Sequence, residues 1–168
     1  MALNLFKKKH QKESNPIVVK SPVDGQAVPL EQVPDEVFST KVLGDGIAVI
    51  PQEADALTVY SPISGTISLF ADTCHAVGLT TPEGVELLLH FGLDTVNLNG
   101  EGFTPRATQG KKIKAGQPLM DVDLTVLKKN KLNPITILVI SDTKDYTPLF
   151  HTGNNVSAGE ETVIELNK

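Results

Sequence analysis

Two histidines in short apolar segments are the residues of this chain best suited to do chemistry. His75 and His90 both lie in such segments, and Gly92 and Asp94 follow His90 closely. The pKa of an unperturbed imidazole lies near neutrality, so a histidine can be a nucleophile, an acid or a metal ligand without much tuning. A single histidine of this kind is more often a core residue with satisfied hydrogen bonds, but two of them favour a functional site.

The apolar run 85–91 predicts a strand that ends at the second histidine. Because side chains alternate along a strand, Leu88, His90 and Gly92 are expected to share one face. The opposite face is more apolar and should meet the core; its members are Val85, Leu87, Leu89 and Phe91. His90 should therefore emerge on the outer face, where the strand ends.

The segment 75–80 also predicts a strand, in which Thr73, His75 and Val77 would share a face. If the two strands are neighbours, the imidazoles can meet in a shallow depression with an apolar floor. The backbone carbonyl of Gly92 could accept the Nδ1–H of His90. That bond would fix the tautomer and leave the Nε2 lone pair pointing outward, as a nucleophile requires.

Several other chemistries lack their sequence signatures. The chain has no Gly-x-x-x-x-Gly-Lys-Ser/Thr loop, no His-Glu-x-x-His and no Gly-x-Ser-x-Gly. Direct use of ATP and a serine hydrolase are therefore disfavoured. A metallohydrolase that uses His75 and His90 as ligands stays open as an alternative, although it lacks a third ligand. His10 and His151 read as surface residues, and the basic cluster 128–131 reads as a solvated helix face instead of a nucleic-acid site.

The bulk composition indicates one domain of ordinary size, because 168 residues can bury a full core. The single Cys74 excludes an internal disulfide framework and a multi-cysteine zinc site. No secretory h-region and no membrane-length apolar run is present, so a cytoplasmic location is expected.

Charge divides the chain into a basic start and an acidic body. Residues 1–20 contain five lysines and one glutamate, a net charge of +4, so the rest carries −9 of the total of −5. Residues 1–15 predict a flexible basic tail, and residues 16–168 predict the folded domain. An acidic body disfavours nucleic acid as a partner and suits a basic protein.

Frequent turn signals among Val, Ile and Thr predict a compact all-β domain, an antiparallel sandwich or barrel-sandwich. The segment 21–30 is echoed at 61–70, which predicts internal duplication. One short helix is expected after an Asp123 cap, with Leu124 and Leu127 facing inward and Pro134 preventing its continuation. The other predicted strands cover 46–50, 57–60, 118–122, 135–140 and 162–166.

At these residues the chain resembles the glucose-type IIA components of the bacterial phosphoenolpyruvate:sugar phosphotransferase system. The resemblance runs from about Val18 to Leu166 and implies a type-1 EIIA domain of the duplicated hybrid motif fold. The two histidines also keep the spacing seen in the family. The motifs that carry the resemblance are 21–25, 33–35, 44–48, 61–62, 75–76, 90–96 and 99–103.

The resemblance implies a phosphocarrier. His90 would accept a phosphoryl group on Nε2 from the phosphohistidine of the carrier protein HPr and pass it to a cysteine of a IIB domain in the sugar permease. His75 would stabilise the phosphoryl oxygens, and Thr73 would orient His75. Such a donor is already activated, so no nucleotide or other cofactor is required.

The resemblance also implies partner contacts. Asp35 and Asp94 would meet arginines of HPr, and Val96 and Leu88 would belong to the docking surface. The IIB/IIC permease would bring the protein to the membrane periphery, and regulatory targets are a further class of partner. No metal is required, although zinc held by His75, His90 and a partner carboxylate is an alternative. A purely regulatory binding module, switched by phosphorylation, is the second alternative.

Overall fold

The computed structural model describes residues 15–168. Apart from Asn15, the predicted basic tail and its His10 therefore lie outside the described residues. The strands are β1 Ile17–Lys20, β2 Gly25–Pro29, β3 Asp45–Pro51, β4 Ala56–Tyr60, β5 Gly65–Phe70, β6 Ala76–Thr80, β7 Glu86–Phe91, β8 Phe103–Pro105, β9 Lys112–Ile113, β10 Pro118–Asp123, β11 Thr136–Asp142, β12 Thr147–Phe150, β13 Asn155–Val156 and β14 Thr162–Asn167. The α-helices are α1 Glu36–Ser39 and α2 Leu124–Lys129, and 3-10 turns cover Leu30–Gln32 and Thr95–Leu98.

All the strand pairs are antiparallel, which confirms the predicted all-β class. The strands form one eight-stranded sheet in the order β13-β2-β3-β11-β7-β6-β5-β9 and two three-stranded sheets, β1-β14-β12 and β4-β10-β8. Every strand predicted from the sequence overlaps an observed strand. The sequence analysis missed β1, β8, β9, β12 and β13, because their two to four residues are too few to show an alternation.

The predicted duplication is visible in the eight-stranded sheet. The β2–β3 hairpin with β13 on its outer edge mirrors the β5–β6 hairpin with β9 on its outer edge. Ser21 and Ser61, at the start of the two copies, are both fully buried. Each hydroxyl donates a 2.7 Å hydrogen bond to a backbone carbonyl two residues later, that of Val23 and that of Ile63. β11 and β7 lie between the two hairpins, at the centre of the sheet.

Apolar side chains pack on both faces of this sheet. The larger core lies on one face, where Ile47, Leu89 and Leu138 are fully buried. The other face, called the front face here, carries His90 and a smaller cluster. This front cluster consists of Val28, Leu30, Val33, Phe38, Ala48, Leu93, Ile135, Ile137 and Val139.

The helix predicted after Asp123 is present. The Asp123 carboxylate accepts the Thr125 backbone N–H at 3.0 Å, and Leu124 and Leu127 are buried as expected. The expectation of only one helix was wrong, because the described residues contain a second one, α1. Its four residues are too few for a visible 3.6-residue period, so the Asp35 cap was its only sequence signal.

Candidate active site

His90 lies at the end of β7 on the front face of the sheet. Leu87, Leu89 and Phe91 are buried on the core side, whereas Leu88 and His90 are half-buried on the other side. The predicted alternation along this strand is therefore confirmed. Across the sheet, His90 pairs with Ile137 of β11 and with Ala76 of β6.

His75 lies just before β6, not inside a strand. Cys74 closes a turn through its backbone N–H, which donates to the Ala71 carbonyl at 2.7 Å, and it has a φ of 60°. Val77 is fully buried in the core, so the prediction that Thr73, His75 and Val77 share one face was wrong. The turn breaks the alternation before the strand begins, and it directs His75 toward the front face.

The two imidazoles meet as predicted. Their ring centroids are 5.1 Å apart, and the rings are nearly perpendicular at 81°. A backbone hydrogen bond of 2.8 Å from the Phe91 N–H to the His75 carbonyl ties the two segments together. The turn before β6 thus has a fixed position relative to the end of β7.

Thr73 is in place to orient His75. Its hydroxyl oxygen lies 2.5 Å from Nδ1 of His75. The hydroxyl proton can be donated to this nitrogen, in which case Nε2 of His75 carries the ring proton. The proton on Nε2 is then available to a group bound between the two rings.

Gly92 occupies a position that only glycine fits. Its φ is +73°, and a Cβ would lie 2.5 Å from Cγ2 of Thr95 and 2.9 Å from the Asn133 carbonyl oxygen. Thr95 is fully buried, and its hydroxyl donates to the Phe91 carbonyl at 2.6 Å. Thr95 is thus a supporting residue that the sequence analysis missed, because nothing in its local sequence indicates this contact.

The buried Nδ1 atom of His90 has no hydrogen-bond partner with acceptable geometry among the described residues. The predicted bond to the Gly92 carbonyl is therefore not formed in this structure. That carbonyl is nevertheless near enough to raise the pKa of the His90 imidazole.

Phe38 of α1 forms the other wall of the site, and the sequence analysis missed it. Its ring centroid lies 4.9 Å from that of His90 with a 54° angle between the planes. The side chain is only 6% exposed and belongs to the front cluster. The His90 ring thus has two ring neighbours, Phe38 and His75.

Burial lowers the pKa of both imidazoles below the ordinary value of 6.5. For His90 burial is the largest cause, and the neighbouring His75 lowers its pKa further. The Gly92 carbonyl and the carboxylates of Asp35 and Asp94 act in the opposite direction without reversing the shift. Both rings are therefore neutral at pH 7, and each has one unprotonated ring nitrogen.

The predicted partner-binding residues lie on the segments that carry His90 and its neighbour Phe38. Asp35 is the N-cap of α1, where it accepts the Val37 N–H at 2.9 Å, and Asp94 lies in a left-handed conformation with a φ of 59°. Both carboxylates are close enough to influence His90. Val96 is 47% exposed in the turn that follows, and Leu88 is half-buried beside His90 on the same strand.

His151 and the basic cluster 128–131 lie on the surface, as the sequence predicted. His151 is exposed and lies 3.0 Å from the Glu165 carboxylate. Lys128 of the basic cluster is on the surface, 2.8 Å from Glu53. Cys74 is buried, and burial raises the pKa of its thiol, which disfavours the reactive thiolate.

No metal centre is formed by this chain alone within residues 15–168, where no three His, Cys, Asp or Glu side chains come together. Likewise, no helix of that part of the chain is long and apolar enough to cross a membrane. Two cavities, of about 720 and 560 Å³, lie at the two mirrored ends of the large sheet, and neither histidine lines them.

Comparisons with a family model, with curated sequences and with solved structures all point to the same family. The sequence model of the family described as "phosphoenolpyruvate-dependent sugar phosphotransferase system, EIIA 1" matches residues 17–146. The glucose-specific EIIA component of this system from Oceanobacillus iheyensis is 38% identical over 167 residues, which is 99% of both chains. The chain is also 41% identical to a glucoside-specific EIICBA component from Staphylococcus carnosus, over 89% of this chain but only 21% of that longer protein.

A solved structure shares the fold. The glucose permease IIA of Mycoplasma capricolum superposes with a TM-score of 0.80 and is 35% identical in sequence. The match covers 90% of this chain and 96% of the other. The predicted sandwich architecture is thereby confirmed.

Proposed function

The chain belongs to the EIIA 1 family of the phosphoenolpyruvate-dependent sugar phosphotransferase system and is a phosphocarrier component of that system, and from this premise we propose that it carries the phosphoryl group on Nε2 of His90. The burial of the other ring nitrogen carries this proposal. Nδ1 of His90 is buried and cannot reach a partner protein, whereas the half-buried ring lies at the front face. Nε2 is then the nitrogen from which a lone pair can attack.

The state of the His90 ring suits this role. A neutral imidazole with its proton on Nδ1 has a free lone pair on Nε2, and the lowered pKa keeps the ring neutral at pH 7. After transfer, the acceptor that we assign to the Nδ1–H is the Gly92 carbonyl, which already raises the pKa of this ring. The proposed role of Gly92 is thus to hold the phosphorylated ring in one tautomer.

We assign the second imidazole to charge stabilisation. With Thr73 donating to Nδ1, Nε2 of His75 carries the ring proton, and this N–H can donate a hydrogen bond to a phosphoryl oxygen on His90, because the two ring centroids are 5.1 Å apart. This donor is preorganised, because the turn that holds it is tied to Phe91. His75 itself forms no covalent bond in the reaction.

The transfer proceeds by substitution at phosphorus. As the His90 Nε2–P bond forms, the P–N bond of phosphohistidine in HPr breaks, and its electron pair returns to the imidazole of HPr. In the next step a cysteine thiolate of the IIB domain attacks, and the pair of the breaking bond returns to His90. The protein supplies position and charge stabilisation, so no cofactor is needed for these steps.

The surroundings of the site support docking of these partners. Asp35 and Asp94 place negative charge at the rim in a body that is itself acidic, and this favours a basic carrier such as HPr. Val96 and Leu88 add apolar surface beside the histidines. We propose that the transfer takes place in the cytoplasm, where phosphoenolpyruvate is formed, and that contact with the membrane occurs only through the IIB/IIC permease.

Zinc binding is proposed only for a complex. His75 and His90 are two suitable ligands, and a partner carboxylate with water would complete a tetrahedral site. Such a complex would also block Nε2 of His90. A regulatory role toward other permeases or kinases would use the same surface and is compatible with phosphoryl transfer.

The test is a reconstituted transfer. The protein is incubated with phosphoenolpyruvate, enzyme I and HPr, and the phosphate is located by mass spectrometry under basic conditions. We expect one acid-labile phosphate on His90, which a IIB domain then removes. His151→Ala, which changes an exposed histidine, should keep the label, whereas His90→Ala should lose it. Stable labelling of His90→Ala would overturn the proposal.

A second measurement, the binding of a permease by His90→Ala, separates a regulatory docking role from phosphoryl transfer. Binding of a permease to His90→Ala would show that docking survives without transfer. Loss of both binding and labelling would instead indicate that His90 contributes to the docking surface itself.

A further inference from the structure

Phe38 makes a contact with the proposed phosphoryl acceptor that has no role in the transfer steps described above. The Phe38 ring centroid lies 4.9 Å from that of His90, and the His75 ring is nearly perpendicular to the His90 ring at a centroid distance of 5.1 Å. We propose that Phe38 is a positioning residue for phosphoryl transfer, which holds the His90 imidazole in its reactive orientation and keeps water away from the ring. This inference rests on the proposed function of His90.

Three hydrogen bonds in and around α1 define the position of the Phe38 backbone. The Asp35 carboxylate caps the helix through the Val37 N–H, and the Phe38 N–H donates to the Asp35 carbonyl at 3.2 Å. At the other end of α1, the Lys41 N–H donates to the Phe38 carbonyl at 3.0 Å. The backbone on both sides of Phe38 is thus fixed.

The side chain is equally constrained. Phe38 is 6% exposed and packs in the front cluster, whose members Ile137 and Ala48 lie on the central strands β11 and β3. Ile137 is the direct cross-strand neighbour of His90. The ring therefore cannot move away from His90 without opening this cluster.

The duplication explains why the two ring neighbours of His90 come from connections of different length. The connection between β2 and β3, residues 30–44, has room for α1, whereas the equivalent connection between β5 and β6, residues 71–75, is a single turn. The short connection supplies Thr73 and His75, and the long one supplies Phe38. Each half of the duplicated fold thus contributes one neighbour of His90.

A tight aromatic wall has two consequences for a neutral nucleophile. Aromatic neighbours favour a tilted or edge-to-face contact at this separation, which restricts rotation of the imidazole about its side-chain bond. Exclusion of water also protects a phosphohistidine from hydrolysis. Phe38 contributes to the burial that lowers the pKa of His90; the titratable groups that act on it are His75, Asp35 and Asp94.

A direct test compares three variants without any partner protein. Phe38→Ala removes the wall, Phe38→Leu keeps part of its bulk, and Leu30→Ala removes bulk from the same front cluster as a control for general loosening. NMR titration gives the pKa of His90 in each variant. We expect Phe38→Ala to raise this pKa toward 6.5, Phe38→Leu to raise it by less, and Leu30→Ala to leave it unchanged.

A second readout is the stability of the phosphorylated form. After removal of enzyme I and HPr, phosphohistidine should hydrolyse at least about twofold faster in Phe38→Ala than in Leu30→Ala. Phosphoryl acceptance from HPr should fall by about tenfold, consistent with the roughly 10²-fold cost of an ångström of misplacement. A residue that only contacts HPr would change acceptance but neither the pKa nor the hydrolysis rate.

The outcomes are distinct. Values for Phe38→Ala that equal those of Leu30→Ala in both partner-free readouts overturn the positioning role. If Phe38→Ala does not fold, Phe38→Leu takes its place, and wild-type values in that variant overturn the role. If wild-type protein accepts no phosphate on His90, the proposed function fails, yet the His90 titration still shows whether Phe38 controls the imidazole.

Discussion

The tight packing at Gly92 makes Gly92→Ala a quantitative test of how the site is held. An alanine there would adopt a φ of +73°, and a left-handed conformation costs a residue with a Cβ about 1–2 kcal/mol. The Cβ would also press on Cγ2 of Thr95 at 2.5 Å and on the Asn133 carbonyl at 2.9 Å. Overpacking of this kind typically costs about 1–3 kcal/mol more.

Gly110→Ala is the matched control. Gly110 has a φ of +87°, but a Cβ would meet nothing within 4 Å. This variant therefore reports the backbone strain alone, less the roughly 0.4–1 kcal/mol by which alanine reduces the entropy of the unfolded chain. Gly92→Ala should be less stable than Gly110→Ala by about 1–3 kcal/mol, the overpacking cost.

Urea unfolding measures both free energies, and a double-mutant cycle identifies the cause. Thr95→Ser keeps the hydroxyl that donates to the Phe91 carbonyl but removes the methyl group that meets the new Cβ. The double variant should recover part of the loss. If Gly92→Ala is as stable as Gly110→Ala, or if Thr95→Ser recovers nothing, the segment after His90 is not held by this packing.

Three further predictions concern the chemistry of the site. His75→Gln should still accept phosphate from HPr but should transfer it to IIB more slowly by about 10²-fold or more. The amide of Gln can donate a hydrogen bond, but it is flexible and is not held as Thr73 holds the imidazole, and loss of one preorganised donor costs about 2.7–4 kcal/mol. Normal rates for both steps would make His75 a structural residue. Asp35→Asn combined with Asp94→Asn should slow phosphorylation by HPr most strongly at low salt, because the interaction between the charges is least screened there. Asn is also a good N-cap and tolerates a left-handed φ, so the two substitutions remove only charge. An unchanged rate at low salt would refute this docking surface. The folded state lowers the pKa of His75 and His90, so the unfolded chain binds protons at a higher pH than the folded protein does. The contribution of these two histidines to the free energy of unfolding should therefore be constant above about pH 6.5 and should fall as the pH drops from 6.5 toward the lowered pKa values. Phosphate acceptance should follow the neutral fraction of His90, and a rate that rises as the pH falls below 6.5 would contradict a neutral nucleophile.

The sequence predicted what depends on local periodicity. The alternation along 85–91 was sufficient to place His90 on the outer face and Leu89 in the core, and both predictions are confirmed. The echo of segment 21–30 at 61–70 predicted the duplication, and in the structure the serine that begins each copy forms the same local hydrogen bond.

The prediction for His75 failed in detail because a turn interrupts the strand. Cys74 adopts a positive φ, which is unusual for a residue with a Cβ and is not signalled by its residue type. Periodicity continued through the turn would place His75 and Val77 on one face, whereas Val77 is in the core. The approach of the two histidines was nevertheless predicted, because it depends only on their strands being neighbours.

The contact between Phe38 and His90 was out of reach of the sequence analysis. The two residues are far apart in the chain, and α1 is too short to be recognised by its period. Thr95 is similar, since its support of the Phe91 carbonyl depends on a turn that follows the strand. Long-range packing of this kind requires the register of β3, β11 and β7, which no single segment contains.

The central claim is that Nε2 of His90 carries the phosphoryl group. The most direct measurement is heteronuclear NMR on protein with ¹⁵N-labelled histidine, phosphorylated through enzyme I and HPr. We predict phosphorus–nitrogen coupling to Nε2 of His90 and an Nδ1 that keeps its proton. Coupling to Nδ1 of His90, or to either nitrogen of His75, would contradict this account.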